Sequence, residues 1–142
     1  MPNGVALSPD GKILYINNTY DDESFWNTNT DKDNYVWAYD VKEDGTISNG
    51  RKFALLHLPA DVLDRKGKSS GADGMKVDAS GNLYVCTYVG VQIFNPEGVF
   101  VGIINTPTYP VNCAFGGSDN STLYITSYDK IYSVKTNMKG LN

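Results

Sequence analysis

The chain has 142 residues and a formal net charge of −4, long enough for one domain with a core. That charge, with no Lys/Arg stripe to neutralise phosphates, excludes a nucleic-acid partner. No apolar run approaches the roughly 18 residues of a membrane span, and no charged N-terminal region leads into an apolar segment. The expectation is therefore no membrane association, no signal peptide and, by default, a cytoplasmic protein.

Fourteen Gly and ten Tyr, with many Asn and Asp, point to a turn-rich all-β chain. In chain order, "VALS-PDGK-ILYI" reads as strand, tight turn, strand, beginning at Asn3-Gly4. A polar stretch over residues 17 to 34 follows, then the strand "YVWAYDV", the turn "KEDG" and a fourth strand, "RKFALLHL". A second unit starts at Asp73-Gly74: "MKVD-ASGN-LYVC", then "GVQIFN", the turn "NPEG" and "VFVGIIN". A third starts at Asn112-Cys113 with "CAFG-GSDNST-LYIT" and ends after a third strand, "KIYSVK". From the polar residue to the Leu of each "LYV/I" run the offsets are 11, 10 and 11. The repeat is thus a four-stranded antiparallel meander of about propeller-blade length, with units over residues 1–60, 70–106 and 110–138 of a single domain spanning 1–142. Only a possible turn near "PADVLDRKGK" interrupts the β pattern.

Closed propellers need four to eight blades. Three units, the last one short of a strand, leave open faces and edges that something else must cover.

The motifs "PNGVALSPDGKILYI", "GADGMKVDASGNLYV" and "NCAFGGSDNSTLYIT", in this order, closely resemble the senescence marker protein/gluconolactonase family, which includes regucalcin. The resemblance covers nearly the whole chain and implies a six-bladed propeller of which this chain is the C-terminal half. It implies hydrolysis of sugar lactones with one divalent metal on the central axis, Ca²⁺ first, with Mg²⁺, Mn²⁺ or Zn²⁺ as alternatives. Asn3 matches the Asn of the family's Pro-Asn-Gly motif and Asp73 the Asp of its Asp-Gly-Met motif, both as metal ligands, with Asp73 also the general base. Asn112 starts the third equivalent strand and is expected to line the pore. The family's metal-ligand Glu and most of its substrate contacts lie in the half not represented here.

The chemistry of those residues agrees with the resemblance. Inner strands of a propeller begin at the rim of the central channel, so their starts converge on the axis. An amide oxygen beside a carboxylate suits a hard cation, which would polarise a carbonyl while the carboxylate takes a proton from water. Asn-Gly and Asp-Gly also form ordinary turns, and three copies in one register are what favour the site. The competing function is a non-catalytic module that binds a metal or partner. The ring is expected to close by homodimerisation, the alternative being a complementary chain that supplies the other half.

Other signals carry little. Asn29, Asp31, Asp33 and Asp40 fit a calcium-loop count, but Asn34 stands where its Gly belongs. "RKGKSSG" lacks the first Gly of a phosphate loop, replaced by Val62. His57 is the only histidine and has no nucleophile elbow to serve. Cys86 and Cys113 sit in apolar strands and are expected to be buried free thiols. Asn17-Asn18-Thr19 and Asn120-Ser121-Thr122 match the glycosylation pattern, which is common by chance.

Overall fold

The computed structural model describes residues 2–18, 34–58 and 69–141. Eleven strands are found there: β1 Pro2–Leu7, β2 Ile13–Asn18, β3 Tyr35–Val41, β4 Ile47–Leu55, β5 Met75–Val77, β6 Leu83–Thr87, β7 Gly90–Phe94, β8 Phe100–Ile104, β9 Pro110–Gly116, β10 Thr122–Ser127 and β11 Ile131–Lys135. They form three antiparallel sheets in the orders β1-β2-β3-β4, β5-β6-β7-β8 and β11-β10-β9. Among the described residues there is no α-helix. The possible turn near Pro59 and most of the polar stretch after Asn18, with the calcium-loop residues Asn29, Asp31 and Asp33, lie outside the described residues.

Tight turns close the hairpins because their sequences supply a left-handed residue and a side-chain brace. In the first, Gly11 has φ of 71° and Asp10 accepts from the Ser8 hydroxyl (2.7 Å) and the Lys12 N–H (3.1 Å). In the second, Gly81 has φ of 86°, and the buried Asp78 carboxylate accepts from the Ser80 and Asn82 N–H groups, both at 2.9 Å. The Asn82 amide and the Tyr84 hydroxyl donate to its other oxygen. Burial, then the Asp78 carboxylate, pushes the Tyr84 phenol well above the usual tyrosine range. β4 begins at Ile47, four residues before the predicted "RKFALLHL". Asn49 at φ 53° lies within the second of two irregularities of the β3–β4 pairing, between the partners Arg51 and Ser48.

The middle sheet is covered on both faces. Along β6 every residue is buried: Leu83 and Val85 face the first sheet, with Tyr15, Val36, Met75 and Phe94, while Tyr84 and Cys86 face the third, with Cys113, Leu123 and Ile125. An end sheet keeps the two-residue alternation instead. In β10, Leu123 and Ile125 are buried and Tyr124 and Thr126 are exposed. On the first sheet the outward face remains apolar: Val5 pairs with Ile16 and Leu7 with Leu14, and Val5 and Leu7 are 58% and 47% exposed. The C-terminal segment returns to the second sheet, where Gly140 bridges Asp78 and the Lys139 carbonyl accepts from Ala79 N–H at 2.8 Å.

Candidate metal and catalytic site

Asn3, Asp73 and Asn112 stand at or just before the starts of the three inner strands, β1, β5 and β9. The packing of the sheets brings the first two side chains together from 70 residues apart. Asn3 Nδ2 donates to Asp73 Oδ1 at 2.9 Å in an exposed position. Asn112 does not match them in register: it pairs with Thr126, one residue later than the place of Asn3 and Asp73, and its side chain is set against Gly74, the residue after Asp73. Its Oδ1 accepts from the Cys113 N–H at 2.9 Å, so it is turned toward its own strand.

The glycines after Asn3 and Asp73 have a structural reason. A methyl group on Gly4 would collide with the Asp73 carbonyl, and one on Gly74 with the Asn112 side chain. Each inner strand therefore passes its neighbour at backbone contact distance. The Gly74 N–H donates to the Val111 carbonyl at 2.8 Å.

Sequence reasoning passed over Asn17, noting it only as a glycosylation match. Its side chain is 1% exposed: Oδ1 accepts from the Gly4 N–H (2.9 Å) and Nδ2 donates to the Asp73 carbonyl (2.8 Å). Both ends of the amide are used in joining the strand that carries Asn3 to the one that carries Asp73. The available signal was an Asn standing where the other repeats have Cys86 and Thr126, one residue before the end of the second strand.

Cys86 and Cys113 are buried free thiols just under this row. Cys86 is locked to the Asp73 segment, its N–H donating to the Gly74 carbonyl and its carbonyl accepting from the Asp73 N–H, each at 3.0 Å. The hydrogen bond between the two thiols, then burial, raises the Cys86 thiol far above its ordinary range, so it is a packing group.

His57 lies away from the row, stacked on Phe100 at 4.0 Å. Its N–H and carbonyl both bond the amide of the buried Gln92. Asp40 is held by Arg51 and Asn49, at 2.8 Å each. Hydrogen bonds from these two partners, Asn49 first, lower its carboxyl below the usual range. Of "RKGKSSG", only Ser69, Ser70 and Gly71 lie within the described residues.

Residues 1–129 match the model of the SMP-30/Gluconolactonase/LRE-like region. The chain belongs to this family. A gluconolactonase of Zymomonas mobilis is 32% identical over 141 residues, which are 98% of this chain and 36% of the relative. A solved gluconolactonase structure from Xanthomonas campestris is 28% identical with a TM-score of 0.69, covering 94% of this chain and 37% of that one. A solved calcium-binding protein, regucalcin, from Agrobacterium tumefaciens shares the fold at 20% identity, with a TM-score of 0.72 over 99% of this chain and 47% of that one. The chain thus spans about a third of the length of the curated relatives it matches. Within the SMP-30/gluconolactonase family these relatives include lactone hydrolases, and the three packed sheets are a partial propeller.

The donor set fits a hard cation. One carboxylate and one carboxamide already meet at 2.9 Å, and turning the amide about its end presents oxygen in place of nitrogen. Among the described residues no group of three His, Cys, Asp or Glu side chains gathers.

Proposed function

We propose that the chain contributes to a metal-dependent hydrolase of sugar lactones, with Asn3 and Asp73 holding a divalent cation, Ca²⁺ first among Ca²⁺, Mg²⁺, Mn²⁺ and Zn²⁺. The observation that carries this reading is the Asn3–Asp73 contact at the head of two inner strands, the two polar residues of the repeated motif. A cation bound there would polarise the lactone carbonyl and stabilise the oxyanion formed on attack. Asp73 Oδ1 faces Asn3, and its carboxylate takes the proton of the attacking water. As the ring C–O bond breaks, that proton passes to the departing ring oxygen, so water and lactone give a hydroxy acid. Asn112, beside Gly74, lines the space on the far side of Asp73.

The test is hydrolysis of δ-gluconolactone by the chain with each of the four cations, for the wild type and Asp73→Ala. Cation-dependent turnover that Asp73→Ala abolishes is expected. Turnover that survives the substitution overturns the assignment of Asp73, and no turnover with any cation favours a non-catalytic binding module.

For the assembly, the reading is that a second copy completes the ring. Three sheets are close to half of a related propeller, since the chain covers 37–47% of the solved structures. The outward face of the first sheet presents Val5, Leu7, Leu14 and Ile16, the composition of an inter-sheet core. Light scattering after size-exclusion chromatography should give twice 15.6 kDa. A stable monomer at micromolar concentration would defeat the dimer.

A further inference from the structure

Beside the Asn3–Asp73 row, at the same end of the sheets, lies a cavity of about 410 Å³ between the second and third sheets. Its walls come from the β6–β7 turn (Tyr88), the segment leading into β9 (Thr106, Thr108, Tyr109) and the β10–β11 turn (Tyr128). Tyr109 stands between the other two rings. It meets Tyr88 edge-on at 5.4 Å and 84°, and its centroid is 6.3 Å from that of Tyr128.

The wall is built rather than incidental. Thr106 Oγ1 donates to the Thr108 carbonyl at 2.7 Å, and the Thr108 and Ser127 hydroxyls share a 2.6 Å hydrogen bond. Ser127 Oγ also reaches the Thr108 and Tyr109 carbonyls, at 2.9 and 2.8 Å. The hydroxyls thus hold the segment before β9 in shape, and Tyr109 (43% exposed) and Tyr128 (79% exposed) are presented to solvent. The pocket also shares backbone with the row. The Tyr88 N–H donates to the Ser70 carbonyl at 2.9 Å, and the Tyr88 ring covers Gly71, two residues before Asp73. Tyr109 precedes Asn112 by three residues.

Rigid, partly exposed rings with phenolic tips, around a preformed cavity, match a ligand that is apolar on its ring face and hydroxylated at its edge. We propose that this cavity is a polyol subsite, in which Tyr109 and Tyr128 take the hydroxylated ring or chain of a sugar-derived ligand. The identification of that ligand with the body of a lactone whose carbonyl lies at Asp73 rests on the lactone-hydrolase reading. The subsite would then select sugar lactones over unsubstituted ones.

The probe is methyl β-D-glucopyranoside, a neutral ring with no carboxylate or lactone carbonyl, titrated against the full chain without added metal and followed by saturation-transfer NMR. Saturation of its ring protons is expected in the wild type. Tyr128→Ala and Tyr109→Ala should each weaken binding by about 2- to 10-fold, the range for one aromatic contact. Because Tyr128 is so exposed, its replacement leaves the core intact, and Tyr128→Phe should retain the stacking. No saturation in the wild type, or equal binding in both alanine variants, overturns the subsite. Hydrolysis assays on the same preparations separate the two readings. Sugar binding without any lactone turnover refutes the hydrolase and keeps the subsite. Turnover with an unchanged KM for δ-gluconolactone in both alanine variants refutes the subsite and keeps the hydrolase.

Discussion

Replacing Asn17 by Ala tests whether one buried amide holds together the strands that carry Asn3 and Asp73. The side chain makes two hydrogen bonds, 2.9 Å from the Gly4 N–H and 2.8 Å to the Asp73 carbonyl, and is 1% exposed. Alanine removes both and leaves a backbone donor and a backbone acceptor without these partners inside the packed sheets. Each such orphan costs about 1–3 kcal/mol, so the loss should be about 2–6 kcal/mol. That is a large share of the roughly 5–15 kcal/mol of a whole domain. Urea unfolding followed by tryptophan fluorescence measures it, and cation titration of the folded variant gives a second readout. Asn17→Asp sharpens the comparison, since it keeps the size and the acceptor but cannot donate to the Asp73 carbonyl when ionised. The cation affinity should fall in both variants, although Asn17 itself is not a ligand in this reading. A stability loss below about 1 kcal/mol for Asn17→Ala, with unaltered cation affinity, would refute the bridge as the device that positions Asn3 and Asp73.

Two further outcomes are expected. Gly74→Ala pushes a methyl group into Asn112 and should cost about 1–3 kcal/mol together with lactone turnover, whereas Gly102→Ala, with open space around the added methyl, should leave both unaffected; thermal melts and rate assays compare them. Asp119 has its carboxyl lowered far below the ordinary range, first by the hydrogen bonds from Lys135, with the Ser121 N–H also donating to it. A lowered folded-state pKa stabilises above the unfolded carboxylate pKa and ceases to do so as pH falls through the folded one. Asp119→Asn should therefore melt below the wild type at pH 7, with the gap closing in acid. A gap that persists at pH 1 would contradict the linkage.

The sequence by itself was enough for the eleven strands, their hairpin turns and the register of the three repeats. Alternation along a strand and a glycine in a tight turn are properties of the local chain, and "LYVC", "LYIT" and "PDGK" express them without help from distant residues. It also put Asn3 and Asp73 at equivalent places, because a repeat carries position with it, but the pairings Val5–Ile16, Met75–Val85 and Cys113–Ile125 set Asn112 one residue later, in the place of Gly4 and Gly74. What it could not express is which equivalent residues touch. Asn3 reaches Asp73 across 70 residues, and only the stacking of the sheets decides that. The same stacking buries both faces of β6 and leaves the outer face of the first sheet open. It also turns Asn17 from a surface glycosylation match into a buried bridge. The tyrosine pocket has the same origin. Its three rings come from turns of two sheets, so no window of the chain contains it.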